Sequence, residues 1–301
     1  MILNYCEYDE DVLKRLKETE LEMLKKFDRV CKKHDIKYFA CFGTAIGAMR
    51  HHGFIPWDDD IDIGIFREDY YKLRNLPDDV WEDLFIGYPD NNVPYLRVCN
   101  PKLFKKGTRF CDKLNYDVTI APTDNKNTDH IPPIWIDIFI HDRVPDYDAV
   151  KKIAPKKDRY RHLYRCAKSD HKIETNRGLV TFIFTCFRKL LHYVLICFPS
   201  KEQFWMKKYD ALSKDEGEYV TNFDTRTYKE MFTSFCKYED MLPLKYIQFE
   251  DFMMPVPNNI EEILHNLYGN YMELPPVEKR VNHAPYILDF GDGINVMDEN
   301  I

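Results

Sequence analysis

The sequence lacks the features that mark secreted and zinc-stabilised proteins. Its nine cysteines form no Cys-x-x-Cys pair, and it has no Asn-x-Ser/Thr site for glycosylation. In a chain of 301 residues, scattered cysteines indicate reduced, mostly buried thiols rather than a disulfide framework or a zinc site. The N-terminus turns acidic at once and has no apolar signal-peptide core. We therefore expect a cytoplasmic protein.

An excess of positive charge is also missing. Lys and Arg number 43 against 50 Asp and Glu, which gives a net charge of −7. Surfaces that bind nucleic acid need clustered Lys and Arg, so the composition argues against a nucleic-acid partner. The chain is 45% hydrophobic and 15% aromatic, which is typical of a folded globular protein rather than a disordered one.

No long hydrophobic run is free of charge. The most apolar stretch, 178–200, carries Arg188, Lys189 and His192 near its centre. A helix spanning a membrane would place these charges in mid-bilayer, at roughly 2.5–3.5 kcal/mol for each Lys or Arg. A buried helical hairpin avoids that cost and is favoured. A helix at a membrane surface or partner interface is the next alternative, and it would place the protein peripherally at the inner face of the membrane.

Apolar periodicity predicts a mixture of helices and strands without internal repeats. Apolar residues recur every three to four positions over 9–33 and predict a helix, with acidic residues at its start and basic residues at its end. The stretch 149–214 is helical and basic in pattern, which we interpret as an inserted helical region. Shorter runs predict strands, at 38–42, 58–65, 95–99, 118–120, 135–140 and 247–252.

The stretch "FIPWDDDIDIGI", residues 54–65, places four carboxylates within five positions. Because strand side chains alternate between faces, Asp58, Asp60 and Asp62 would share one face and three isoleucines the other. Two charges ~6.6 Å apart repel by roughly 2.5 kcal/mol at an effective dielectric of about 20, so the row calls for a cation. Oxygen ligands favour Mg²⁺ or Mn²⁺. Asp59 falls on the apolar side, where a place before the strand or a bond to backbone amides would accommodate it.

Two other interpretations of this run fit less well. An EF-hand loop beginning at Asp58 needs Gly at its sixth position, where Ile63 stands, and its twelfth residue is Asp69 instead of Glu. An exposed acidic edge strand would not contain Trp57 and three isoleucines. A purely structural role is the less favoured alternative to a metal site.

Two further motifs favour a metal-phosphate site. Asp137 stands in the apolar run "IWIDIFI", where an unpaired carboxylate is costly, and beside Asp60 and Asp62 it would complete a three-carboxylate site. The alternative is an Asp bonded to a neighbouring loop. Upstream, Gly43 and Thr44 form a strand-to-helix junction. There glycine permits close backbone approach, threonine can cap the helix, and the helix N-terminus offers amides to a phosphate.

These pieces together resemble the LicD family, which includes the fukutin-related proteins. The matching stretch is continuous from Tyr38 to Ile65, and 267–283 resembles the family's C-terminal motif, with Asn270 where the family often has Asp. The resemblance implies an α+β fold of the nucleotidyltransferase type, a short mixed sheet flanked by helices. It implies one catalytic domain over 1–301, with the helical insert 149–214 inside it.

The resemblance also implies an activity. Such enzymes use Mg²⁺ or Mn²⁺ to transfer a phosphorylated alcohol from a CDP-linked donor to a sugar hydroxyl of a glycan or its precursor. Phosphocholine is the leading alcohol phosphate, with ribitol or glycerol phosphate as alternatives. A nucleotide-sugar glycosyltransferase with a DxD motif is a second enzyme hypothesis. A catalytically degenerate binding protein is a third.

Site residues follow by position and chemistry. The resemblance implies metal ligation by Asp60 and Asp62, with Asp137 as the third carboxylate, a contribution from Asp58 to the metal or substrate, and phosphate binding at Gly43-Thr44. Asp137 would bridge to the metal or take the proton of the acceptor hydroxyl. Four side chains are further substrate-binding candidates: Arg50, which would reach phosphate or pair with an acid, Arg97 as a weaker donor-site residue, and Arg280 and His283 closing over the substrate.

Overall fold

The computed structural model describes residues 8–89, 100–112, 131–168, 178–197, 201–223 and 234–298. Helix α1 (Glu10–Lys33) opens this part of the chain, as predicted. Its apolar stripe is buried, and the Asp9 carboxylate caps its first turn by accepting a bond from the Asp11 N–H. Acidic residues in the first turn and lysines in the last complement the helix dipole.

Seven of the described strands form one mixed sheet. Five of them follow the order β1 (Tyr38–Ala40), β2 (Asp62–Phe66), β6 (Trp135–Val144), β4 (Lys102–Lys105) and β3 (Leu84–Gly87). The far half of β6 pairs with β7 (Tyr219–Asn222), and β7 pairs with β8 (Cys236–Lys237). β2 and β6 run parallel, whereas the other pairs of this sheet are antiparallel. The predicted α+β class is confirmed.

Short elements surround this sheet. Two further sheets are antiparallel pairs, β5 (Arg109–Asp112) with β11 (Pro285–Asp289) and β9 (Lys245–Phe249) with β10 (Phe252–Val256). Besides α1, the described α-helices outside the basic region are α2 (Phe42–His51), α3 (Arg67–Arg74), α7 (Tyr238–Met241) and α8 (Ile260–Tyr268). The strands predicted at 95–99 and 118–120 lie outside the described residues.

Alternating isoleucines place the main core on one face of the sheet. Ile61, Ile63 and Ile65 leading into and along β2 are fully buried, and three isoleucines of β6 lie beside them. Each buried side chain of this size contributes roughly 1.5–3 kcal/mol relative to an exposed one. The opposite face of the sheet carries Asp62 and Asp137 at one end and a smaller apolar cluster that includes Phe39 and Phe66 at the other.

The basic region contains three helices between β6 and β7, namely α4 (Tyr147–Lys168), α5 (Leu179–Ile196) and α6 (Lys201–Asp210). α4 and α6 share a small core that includes Val150, Tyr164 and Tyr209. The described residues of 149–214 are mostly helical, as expected, and the status of this stretch as an insert stays a prediction. The favoured buried hairpin at 178–200 is wrong, because the outer face of α5 is exposed. In the described part of the chain, none of the helices has the length and apolar character that crossing a bilayer requires.

Candidate active site

The acidic run keeps its predicted alternation but not its predicted secondary structure. Asp58, Asp60 and Asp62 are half-buried, whereas Asp59 and Ile61 between them are buried. β2 begins only at Asp62, so three of the four carboxylates precede the strand. The expectation of one continuous strand is wrong. The chain before β2 is nevertheless extended enough to present three carboxylates on one side.

The sheet register places Asp62 next to Asp137. These residues are directly paired across the parallel strands β2 and β6, and Lys102 of β4 is the partner of Asp137 on its other side. Neighbouring strands lie about 4.8 Å apart, and residues in register point to the same face. The two carboxylates predicted to meet are therefore side by side, and a lysine extends the row across a third strand.

Asp137 is surrounded by donors that the sequence did not reveal. Lys102 Nζ lies 2.5 Å and Asn100 Nδ2 2.8 Å from Asp137 Oδ1, and the Trp135 indole N–H donates to Oδ2 at 2.9 Å. Lys102 also lies over the Trp135 ring. The alternative in which Asp137 is held by hydrogen bonds rather than by a metal is therefore found in part. The Lys102 ammonium thus compensates the charge of this largely buried carboxylate.

Within the described residues, no lysine or arginine forms an ion pair with Asp58, Asp60 or Asp62. Burial, together with the nearby Asp60 and Asp59, raises the pKa of Asp58 to about 8. Burial also raises the pKa values of Asp60 and Asp62, and the charge of Asp60 adds to the effect at Asp62. These carboxylates resist ionisation together because their charges are close and poorly solvated. A divalent cation would supply the missing charge, and oxygen-rich ligands suit Mg²⁺ or Mn²⁺.

One group among the described residues brings three ligand atoms within 4.8 Å of one another, and it consists of Asp59, Asp60 and His283. It shares only Asp60 with the predicted metal set Asp58, Asp60, Asp62 and Asp137. Asp59 accepts bonds from the Tyr8 hydroxyl at 2.8 Å and from the His283 backbone N–H at 2.9 Å. His283 Nδ1 lies 3.2 Å from Asp59 Oδ1 and 3.9 Å from Asp60 Oδ2. The donor set fits a divalent cation, with Asp59 also anchoring the C-terminal segment.

The C-terminal segment lies against the acidic run, and closure of Arg280 and His283 over a substrate stays a prediction. The Arg280 guanidinium lies 4.8 Å from the centre of the Trp57 ring. Arg50 was expected to reach phosphate or pair with an acidic side chain. Its Nη1 donates to the backbone carbonyl oxygens of Tyr271 at 2.6 Å and Glu273 at 3.2 Å, so Arg50 holds the segment in place. Among the described residues Arg50 pairs with no acidic side chain, and its binding of phosphate stays a prediction.

The Gly43-Thr44 junction contacts the acidic run directly. α2 begins at Phe42, and no side chain caps its first turn, so the predicted helix cap by Thr44 is wrong. The Thr44 hydroxyl instead accepts a bond of 2.7 Å from the Asp62 backbone N–H. A Cβ at Gly43 would lie 2.9 Å from Asp58 Oδ2. Any larger residue at position 43 would therefore require the Asp58 carboxylate to shift.

Two charged residues near the site were missed by sequence reasoning. Lys102 lies between the strands predicted at 95–99 and 118–120, where no strand was predicted, but this segment forms β4 and β5. Glu20 is buried on α1, where burial and then Asp60 raise its pKa well above the usual range. Its position four residues after Leu16 and three before Met23 puts it on the apolar stripe, a signal that was available. Arg97 lies outside the described residues.

Comparison with known proteins gives the same region a family. A sequence model described as "LicD/FKTN/FKRP, nucleotidyltransferase domain" matches residues 35–150. The lipopolysaccharide cholinephosphotransferase LicD of Haemophilus influenzae is 29% identical over 273 residues, which cover 87% of this chain and 92% of that protein. An uncharacterized protein of Rickettsia prowazekii is 33% identical over 127 residues, covering 42% of this chain and 40% of that protein.

The matched region includes every element that carries the carboxylates Asp58, Asp60, Asp62 and Asp137. It contains the α2 junction, the acidic run with β2, and Asp137 on β6, whereas His283 lies beyond it. Residues 35–150 therefore match the nucleotidyltransferase domain of the LicD family, and most of the chain is similar to the Haemophilus protein.

Proposed function

We propose that the protein is a metal-dependent phosphotransferase that moves phosphocholine from CDP-choline to a sugar hydroxyl of a cell-surface glycan or its precursor. The observation that carries this proposal is the register that sets Asp62 beside Asp137, with Asp60 and Asp58 leading into the same face. The printed name of the Haemophilus relative supports choline phosphate as the group transferred and a lipopolysaccharide as the kind of acceptor.

The proposed roles follow from the positions of the side chains. Asp60, Asp62 and Asp137 would hold Mg²⁺ or Mn²⁺, with Asp58 as a further ligand or a substrate contact. When bound, the cation would neutralise the donor diphosphate and stabilise the departing nucleotide phosphate. Lys102 adds a point charge beside Asp137 for the same phosphates. These groups together offset the repulsion between donor and carboxylates.

The transfer itself is an in-line displacement. The acceptor hydroxyl oxygen forms a bond to the phosphorus of the phosphocholine group, and the phosphorus–oxygen bond to CMP breaks. Asp137 either binds the metal that activates the acceptor hydroxyl or takes the hydroxyl proton as general base. Thr44 keeps α2 against β2 through its bond to the Asp62 N–H. Arg280 and His283 then close the site over the donor from the C-terminal segment.

Product analysis tests this proposal. The chain is incubated with a choline-free lipopolysaccharide acceptor and, in separate reactions, CDP-choline, CDP-ribitol, CDP-glycerol or a nucleotide sugar, with Mg²⁺, Mn²⁺ or EDTA. The proposal expects CMP release that depends on the metal and equals the phosphocholine transferred. Transfer from another CDP-alcohol would change the proposed donor and leave the reaction type unchanged. Release of a nucleoside diphosphate would instead favour a glycosyltransferase. The absence of any metal-dependent turnover would favour a binding protein.

Substitution of one acidic residue provides the matched test of the site. Asp60→Asn should lower kcat by at least about 10²–10³-fold, since one charged ligand is lost with little change in volume. Asp251→Asn is the control, because Asp251 is an exposed carboxylate paired with Lys25 outside the acidic run. Thermal unfolding of both variants shows whether the fold is retained. A folded Asp60→Asn enzyme with full turnover would contradict the assignment.

A further inference from the structure

Helix α5 has its polar and apolar faces reversed relative to a surface helix in water. Phe187 and Leu190 are 60% and 63% exposed, and other large apolar side chains of this helix are exposed with them. These residues are Leu179, Val180, Phe182, Ile183, Phe184, Tyr193 and Val194. Val180, Phe187 and Val194 recur every seven residues, so the exposed side chains form a stripe along the helix.

The face that α5 turns toward the protein is polar by comparison. Thr185 and His192 are buried, and His192 Nδ1 donates to the Cys166 carbonyl oxygen of α4 at 2.8 Å. Leu195 and the partly buried Leu191 add a small apolar contact at the C-terminal end. The orientation of α5 is therefore fixed by specific contacts. Rotating the helix to bury its apolar stripe would break the His192 bond.

The exposed apolar area is larger than a water-facing surface usually carries. A whole aromatic side chain has ~150–250 Å² of surface, so these nine side chains together expose on the order of 1,000 Å². The largest apolar patch on a typical monomer is about 300–600 Å². Such a patch marks a surface that meets something other than water.

The positive charge around the apolar patch indicates the chemistry of its binding partner. Residues 147–214 contain 16 Lys and Arg against 6 Asp and Glu, a net charge of +10, although the whole chain carries −7. Both helices that pack against α5 contribute exposed cations. These are Lys151, Lys152, Lys156 and Arg159 on α4 and Lys207 and Lys208 on α6. An apolar face flanked by cations is complementary to a bilayer of anionic lipids.

We infer that the outer face of α5 docks on an anionic phospholipid bilayer, with the helix lying in the plane of the interface and the lysines of α4 and α6 at the headgroups. A second copy of this chain fits the patch less well, since pairing two such faces would bring two regions of net charge +10 together. This inference does not depend on the proposed catalytic function.

Vesicle sedimentation with the full chain tests the inference. The probes are vesicles of phosphatidylcholine alone and of phosphatidylcholine with a minority of phosphatidylglycerol. The wild-type chain should sediment with the anionic vesicles, and less at high salt. Phe187→Glu with Leu190→Glu should reduce partitioning at least about tenfold, since two exposed apolar anchors become charged.

The control variant carries the same chemistry at another surface. Tyr246→Glu with Met253→Glu changes two exposed apolar residues of the β9–β10 pair and should leave vesicle binding intact. Circular dichroism and the thermal midpoint report the fold of each variant. Equal loss in both double variants, or no binding by the wild-type chain, would overturn the inference. Sedimentation velocity gives the oligomeric state. If the wild-type chain were a dimer that did not bind vesicles, and Phe187→Glu with Leu190→Glu made it a monomer, the patch would be an interface with a second copy instead.

Discussion

The sheet region around the acidic run and the helical region depart from the usual arrangement of residues in opposite directions. The sheet region crowds carboxylates into a half-buried site, where burial and neighbouring charges raise the pKa values of Asp58, Asp60 and Asp62. The helical region leaves the apolar face of α5 in contact with solvent. Each departure is unfavourable for the chain alone. Each is explained when a binding partner of the matching chemistry, a cation or a bilayer, completes the surface.

A third cluster lies where the two regions meet, and it needs no external partner. The Asp142 carboxylate on β6 contacts Arg67 Nε at 2.7 Å and Lys157 Nζ of α4 at 3.1 Å, and accepts a bond from Ser213. Burial alone would raise the pKa of Asp142, but Arg67 and Lys157 overcome that effect and hold it well below its usual range. This buried charge cluster is satisfied within the chain, unlike the acidic site.

Removing Asp142 should have the largest effect on stability, because it breaks the contact between the two regions. Asp142→Asn would leave the guanidinium of Arg67 and the ammonium of Lys157, both fully buried, without their main counterion. A buried pair that loses one partner costs about 3–5 kcal/mol in the free energy of unfolding. Guanidinium unfolding followed by circular dichroism measures the loss. Asp251→Asn, at an exposed ion pair, should change the midpoint little.

An unchanged free energy of unfolding for Asp142→Asn would mean that the two regions are held by their apolar contacts alone. A second unfolding transition in this variant, absent from the wild-type curve, would show that the cluster also couples them. The energetic coupling between the two regions would then be measured directly.

Acid should destabilise the sheet side of this junction before it affects the ion cluster. His141, next to Asp142 on β6, is buried, and burial lowers its pKa to about 4 despite its bond to the Phe139 carbonyl oxygen. Since the unfolded chain has a His pKa near 6.5, the unfolded state binds the proton first. The contribution is present above about pH 6.5 and is lost as the pH falls to about 4, by at most roughly 3 kcal/mol.

The measurement is the free energy of unfolding against pH for the wild-type chain and for His141→Gln. The difference between the two curves should change across pH 6.5 to 4. Carboxylates whose pKa is raised, such as Asp58, act with the opposite sign, since their unfavourable charge is relieved on acidification. His162→Gln, at an exposed histidine of α4, is the control. Parallel curves for wild type and His141→Gln would contradict the prediction.

Local patterns predicted the elements of the site, whereas long-range pairing decided their contacts. The apolar stripe of α1 and the alternation around Ile61 and Ile63 depend on neighbouring residues, so both could be predicted from the sequence. The register that sets Lys102 against Asp137 depends on which strands pair, which no local pattern specifies. Asp59 and His283 are separated by 224 positions in the chain, so their hydrogen bond could not be predicted from local sequence either.

The orientation of α5 could not be predicted from the sequence either. Its composition gave both a buried hairpin and a surface helix as alternatives, because an apolar stripe predicts a buried face without saying what buries it. The contact between His192 and the Cys166 carbonyl oxygen decides which face turns inward. That contact joins two helices, and it became visible only in the folded chain.

The smallest expected effect sharpens the comparison on the basic side. Lys207 and Lys208 lie exposed in the last turn of α6, and Lys207→Gln with Lys208→Gln should weaken binding to anionic vesicles. A cation at an anionic membrane surface contributes about 1 kcal/mol, and this value falls off within about one Debye length. With about half of it for each of the two lysines, we expect a loss of roughly fivefold, less than for the apolar variant. High salt should remove the difference, because these charges act over about one Debye length.

Lys32→Gln with Lys33→Gln is the matched control, since these lysines occupy the last turn of α1 and are also exposed. Both double variants lower the net charge of the chain equally and remove cations from a helix C-terminus. A general electrostatic attraction would weaken binding equally in the two. Loss confined to Lys207 and Lys208 would mean that the position of the cations beside the apolar face of α5, rather than the total charge of the chain, directs the protein to the bilayer.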